Sequence, residues 1–196
     1  MERRPHRFKG TALAAAVMLA TLGAGNTAAI PVPWGDNGHW YEYIEATNII
    51  WTEANDAATG LGAGWNLASI TSADEKAFVL SLIAGTLANR THVWIGGSDA
   101  AAEGSWTWTN GDAFASPYTD WWPNEPNNTG GIENYLALDL RDGSWGWNDA
   151  PNDVHTVHNV PVSGYIVENP VPVPAAAWLL GSALLGIAGV ARRRKT

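Results

Sequence analysis

The chain has no cysteine. That excludes the disulfide clasp many small exported domains rely on, so apolar packing or bound metal must supply the roughly 2–4 kcal/mol that a crosslink contributes. Positive charge is nearly as scarce. Apart from the two chain ends, the only Lys and Arg residues are Lys76, Arg90 and Arg141. Residues 30–169 carry 18 acidic side chains against those 3 basic ones, a formal charge of −15 compared with −8 for the whole chain. Such a surface cannot neutralise phosphates, which excludes nucleic acid as a partner, and it attracts divalent cations. Acidity that merely confers solubility does not account for the clustering between Asp99 and Asp149. There is no internal repeat either. The 12 tryptophans have flanks that do not match, and most are expected to fill a core that lacks cysteine.

The two ends read as appendages. Met1–Lys9 is basic, Thr11–Gly25 is small and apolar, and Thr27, Ala28 and Ala29 follow. This is the three-part layout of a secretory signal peptide, with the cut expected near Ala28 or Ala29. At the other end Pro170–Pro174 makes a stiff extended spacer, followed by the apolar run Ala175–Ala191 and then Arg192-Arg193-Arg194-Lys195. About 17 apolar residues rising about 1.5 Å each form a short but feasible membrane span, and the basic end keeps that side cytoplasmic. The expected organisation is an export signal at 1–29, one domain at 30–169 and a C-terminal anchor or signal at 170–196.

The centre of the domain is the stretch Trp121–Asp149. Glu125, Asn127, Glu133, Asn148 and Asp149 offer oxygens without a competing cation, the donor type a hard ion such as calcium takes six to eight of. Pro126 lies between Glu125 and Asn127. An X-Pro bond takes the cis form at a cost of only about 0.5–1 kcal/mol, and a cis bond here turns both side chains toward one point.

On Glu125-Pro126-Asn127, Glu133-Asn134 and Trp147-Asn148-Asp149 in that order, the chain resembles the C-type lectins, in the mannose-type subset that carries Glu-Pro-Asn. The resemblance implies an α+β fold with two early helices, a mainly antiparallel twisted sheet and a long calcium-binding loop region. It implies Ca2+ held by Glu125, Asn127, Glu133, Asn148 and Asp149, the same ion being capped by two sugar hydroxyls. Asp99, Glu103, Asn128 and Asn134 match a second, weaker calcium site; Asn stands at 128 and 134 where a full site often has Asp. Family cysteines would fall at Ala58, Tyr135 and Val167, so no disulfides form here. The tail resembles a PEP-CTERM signal in its Val-Pro-x-Pro-Ala variant, with Val173 in place of the usual Glu. That implies processing by an exosortase, transient residence in the inner membrane of a Gram-negative bacterium that makes exopolysaccharide, and a surface or secreted product. The other reading of the tail is an ordinary single-span anchor.

The local patterns fit this frame. Trp40–Ile44 reads as a strand, Trp51–Thr59 as a helix and Leu67–Ile70 as a brief extended piece. Ser72 and Glu75 form a capping box for a helix running to about Ala84, with Phe78, Val79, Leu82 and Ile83 as its buried stripe. Val93-Trp94-Ile95-Gly96-Gly97 reads as a strand with glycine where backbone comes close. Trp106–Thr109 and Asn110-Gly111 read as a strand entering a hairpin, and 116–128 as a long loop of the kind that is functional or disordered, oxygen ligands around an ion being one way to order it. Leu136, Leu138 and Leu140 share one face of a strand with Asp139 opposite. Arg141–Ser144 is its turn, and Tyr165-Ile166-Val167 closes an all-strand remainder. The segment 150–163 exceeds the family pattern. His155 and His158 near Asp153 suit zinc or a solvated loop, the second being preferred.

The expected function is calcium-dependent binding of a glycan or exopolysaccharide of mannose, glucose or fucose type. The alternative is the same fold binding protein or another surface, with calcium only structural. Trp121, Trp122 or Trp147 would stack on a sugar face or fill the core. Catalysis is not expected: a glycosidase needs two carboxylates about 5–9.5 Å apart across a cleft, and these are better used on one ion.

Overall fold

The computed structural model describes residues 30–170, apart from residues 86, 88, 89 and 115–117. The expected export signal at 1–29 and, but for Pro170, the expected C-terminal anchor or signal at 170–196 therefore lie outside the described residues. Among the described residues no helix is long and apolar enough to cross a membrane.

The elements run β1 (Val32–Pro33), β2 (Trp40–Glu45), α1 (Trp51–Gly60), β3 (Asn66–Leu67), α2 (Ala73–Leu82), β4 (Thr91–Ser98), β5 (Thr107–Trp108), a 3-10 turn (Thr129–Gly131), β6 (Tyr135–Arg141), β7 (Ser144–Ala150), α3 (Val154–His158) and β8 (Val162–Asn169). The sheet order is β1-β2-β8-β4-β6-β7, with β3 added to β8 and β5 to β4. Every pairing is antiparallel except β4 with β8. This is the α+β architecture expected, with the two early helices in place.

Both faces of the sheet are packed. Side chains alternate along a strand, so Val93 and Ile95 of β4, Leu136 and Leu138 of β6 and Ile166 of β8 join Val79 and Ile83 in one buried cluster. Trp94, Ala137, Tyr165 and Val167 point the other way, into a second cluster with Trp51, Ala54 and Ala58 of α1 and Val154 of α3. Two positions matched to missing cysteines, Ala58 and Val167, are fully buried in that second cluster. Tyr135, the third, lies against Trp51 with ring centroids 4.6 Å apart. Apolar contact thus stands where crosslinks would.

Gly96 and Gly97 answer the expectation of close approach. A Cβ on Gly96 would lie 2.6 Å from the Leu67 carbonyl oxygen, and one on Gly97 2.5 Å from Leu136. The β6–β7 hairpin turns on Asp142 (φ 50°) and Gly143 (φ 80°), a two-residue loop of the Asp-Gly type.

Several expectations need correction. The remainder after α2 is not all strand: residues 154–158 form α3, capped by the Asp153 carboxylate accepting from the Thr156 N–H at 3.0 Å. Asn110-Gly111 does not open a hairpin, because β5 pairs back onto β4. The capping box is only half formed. Ser72 Oγ accepts from the Glu75 N–H at 3.1 Å, but the Glu75 carboxylate accepts from the Thr71 N–H at 2.7 Å and from the Tyr41 hydroxyl. Asp139 does oppose the leucines, yet it is buried at 3% exposure.

Candidate functional site

The site is assembled where the 121–134 loop folds against β7. Three main-chain bonds dock the loop: Trp147 N–H to the Asp120 carbonyl (2.7 Å), Trp122 N–H to the Trp147 carbonyl (2.9 Å) and Asn134 N–H to the Ala150 carbonyl (3.1 Å). The Glu125-Pro126 bond is cis, as expected, and the Asn127 side-chain amide donates to the Glu125 carboxylate.

Glu125, Asn127, Glu133 and Asn148 line one cavity of about 200 Å3, together with Thr129, His92, Asp139, Arg141, Arg90 and His158. Asp149 stands behind them. Its two carboxylate oxygens accept the N–H groups of Asn127 (3.1 Å) and Asn128 (2.7 Å), so its side chain secures the loop. Glu133 holds the following turn, accepting from the Thr129 N–H at 2.8 Å while its own N–H donates to Asn128 Oδ1 at 3.1 Å. Asn148 donates to the Asp149 carbonyl at 2.7 Å, which leaves its oxygen facing the cavity side.

Among the described residues, no three acidic or histidine side chains are closed up as a metal shell. The reason is visible in Asp149, whose oxygens face amides, so a cation here would depend on Glu125, Glu133 and the amide oxygens of Asn127 and Asn148. The electrostatics suit one. Burial, opposed by the bond from the Thr129 N–H and aided by the charges of Asp149 and Glu125, raises the pKa of Glu133 to about 7. Burial raises Glu125 too; Arg141 opposes the rise and Asp149 adds to it. Carboxylates that resist one another's ionisation are a set that gains from a divalent ion. The donor chemistry therefore fits calcium.

The second expected group is partly drawn together. The Asn128 amide donates to Glu103 at 2.5 Å. Asp99 is buried, with one oxygen accepting from the Gly104 N–H at 2.8 Å and the other, Oδ1, without a partner. Asn134 contributes its carbonyl, which accepts from the Asp99 N–H (3.2 Å) and the Ser98 hydroxyl (2.9 Å). His158 Nδ1 lies 3.7 Å from Glu133 Oε1, so α3 borders the principal cavity.

Sequence reasoning missed Arg141, Asp139 and His92. Arg141 Nη2 donates to Asn148 Oδ1 at 2.8 Å and to Glu125 Oε1 at 3.2 Å, and its Nε donates to Asp139. Burial pushes the Asp139 pKa up, but the bond from His92 and the charges of His92 and Arg141 outweigh it and hold the group below the usual range. The available signal was scarcity: Arg141 is one of three cations in an acidic domain. Of the three candidate sugar platforms, Trp147 is fully buried and packs edge-on against Trp108 and Trp121, which makes it core. Trp121 and Trp122 are half-buried.

A sequence profile of the Lectin C-type domain matches residues 47–157. A type-2 ice-structuring protein of Brachyopsis segaliensis is 33% identical over 120 residues, 61% of this chain and 66% of that protein. A C-type lectin mannose-binding isoform of Notechis scutatus scutatus is 31% identical over 146 residues, 74% of this chain and 90% of that one. The chain thus spans just under two thirds of the first relative's length. Among solved structures, the C-type lectin CEL-I of Cucumaria echinata superposes with a TM-score of 0.60 at 24% identity, covering 74% of this chain and 97% of its own. That likeness speaks for the fold.

Proposed function

Because the chain belongs to the C-type lectin domain family, we propose that Glu125, Asn127, Glu133, Asn148 and Asp149 form a calcium-dependent sugar site. The observation that carries the proposal is that four oxygen-bearing side chains from three segments line one polar cavity, while the fifth, Asp149, fixes the loop backbone. Calcium bound there supplies open coordination positions to two neighbouring sugar hydroxyls. Around it Glu125 accepts and Asn127 donates hydrogen bonds to those hydroxyls, an arrangement that favours sugars of the mannose, glucose and fucose kind. Asp99, Glu103, Asn128 and Asn134 form an auxiliary calcium site that stiffens the loop. The function is binding, with no catalytic role. The export signal at 1–29 and the sorting signal at 170–196 put the domain outside the inner membrane, on the surface or released after exosortase processing, beside exopolysaccharide.

Retention of the domain on a mannose-type resin, with release by chelator, tests this. Asn127→Asp should move preference toward galactose-type sugars. A second reading has the same loops face a protein or another extended surface; the likeness to an ice-structuring protein favours it. Clear calcium binding by calorimetry with a blank neutral-sugar array decides for that second reading, and absence of calcium binding rejects both.

A further inference from the structure

The side chain of Arg141, at the end of β6, lies over the site and grips it. Its guanidinium carbon is 5.4 Å from the centroid of the Trp122 ring, a cation–π distance. Behind, Nε donates to Asp139, whose other oxygen lies 3.3 Å from His92 Nε2. In front, Nη2 donates to Asn148 Oδ1 and Glu125 Oε1 at 2.8 and 3.2 Å. These are two oxygens that the proposed ion requires. A lone pair engaged by an N–H is not open to a cation at about 2.3–2.6 Å, and a fixed positive charge so close opposes a divalent one.

We infer that Arg141 is a tethered counter-ion of this site, holding Glu125 and Asn148 when calcium is absent and yielding them when it enters, and so setting the calcium concentration at which the site fills. The inference rests on the calcium reading above. Two effects compete in it. Arg141 pre-organises two ligands, which aids binding, and it presents a charge that must be displaced, which opposes it. Pre-organisation does not depend on Arg141 alone. The Glu125 N–H donates to the Trp122 carbonyl at 2.9 Å, and Asn148 is anchored by its bond to the Asp149 carbonyl at 2.7 Å within β7. The charge therefore dominates, and its removal tightens calcium binding.

Arg141→Gln and Arg141→Lys, compared with the unaltered chain by calcium calorimetry and by melting with and without calcium, test this. Arg141→Gln is expected to bind calcium roughly tenfold more tightly, to melt lower than the parent in chelator and to lose that deficit in saturating calcium. Arg141→Lys, which keeps the charge but not the planar fork, should stay near the parent affinity. In the unaltered chain, Arg141 Nη2 protons that exchange slowly in chelator should exchange fast with calcium, a readout that needs no variant. If parent and Arg141→Gln bind calcium equally, or the variant binds more weakly, this inference falls and the calcium site stands. Binding by the variant alone overturns the inference, since Arg141 would then not yield the two ligands to calcium in the unaltered chain. Binding by neither overturns both.

Discussion

Trp122 rests on the bare Cα of Gly146: a Cβ built there would lie 2.8 Å from the indole Nε1 and 2.9 Å from two ring carbons. The same indole donates to the Asp139 carbonyl at 3.1 Å and carries Arg141 on its ring. Gly146 therefore fixes the height of the platform from which Arg141 reaches Glu125 and Asn148.

Gly146→Ala should lift Trp122 from the sheet. Overpacking of this kind costs about 1–3 kcal/mol, measurable by chemical denaturation. Calcium affinity should shift as well, because Arg141 loses its support. An unchanged melting curve would show that the loop gives way freely.

Asp149→Ala removes both acceptors of the Asn127 and Asn128 N–H groups. Asn127 is exposed and Asn128 half-buried, so water replaces the lost acceptors and the expected loss is that of two net hydrogen bonds, roughly 1–3 kcal/mol. Saturating calcium should not restore it, since the loop that presents Glu125 and Asn127 loses its anchor. Denaturation with and without calcium checks this.

The auxiliary site has its own test. The unpartnered Asp99 Oδ1 is buried, which is costly without a donor or a cation. Calorimetry should give two calcium ions per chain, falling to one in Asp99→Asn, Glu103→Gln, with the tighter of the two retained. A stoichiometry of one in the parent rejects the auxiliary site.

Glu168 supplies a pH prediction away from these loops. It accepts from the Ser69 N–H at 2.8 Å and pairs with His39 at 2.5 Å, yet burial, with a contribution from Glu75, raises its pKa to about 7 from 4.5. The native state thus holds this proton more tightly than the unfolded chain. Its contribution is fully present below about pH 4.5 and is lost as pH rises through about 7, on the order of 3 kcal/mol in all. In chelator, stability should fall across that window, and Glu168→Gln should remove this group's share of the slope, leaving the share of Glu133, whose pKa is raised to about the same value.

Much of this was legible because it is written locally. Glu125-Pro126-Asn127 and Trp147-Asn148-Asp149 carry their donor chemistry in adjacent residues, and Asp142-Gly143 can make only a narrow turn. The leucines of β6 gave one face by alternation. What alternation could not say is that the other face is covered too, burying Asp139 beside His92. α3 is not legible in the sequence because Val154, Thr156, Val157 and two histidines are weak helix formers; its cap at Asp153 and the burial of Val154 hold it. Glu75 stands at capping-box distance from Ser72, but its partner Tyr41 lies on β2. Arg141 looked like a turn residue, and only the folded hairpin brings its guanidinium over Trp122.

The sheet order has a practical consequence. β2 and β8, the first long strand and the last, lie side by side with Trp40 opposite Asn169, while β7 forms the far edge three steps beyond β8, about 14 Å away at normal strand spacing. Polypeptide entering through β1, which pairs with β2, and leaving at Asn169 thus does so on the same flank. A sensor chip, affinity tag or fusion partner joined there sits on the β2–β8 side of the sheet, three strands from β7, on which the 121–134 loop is docked.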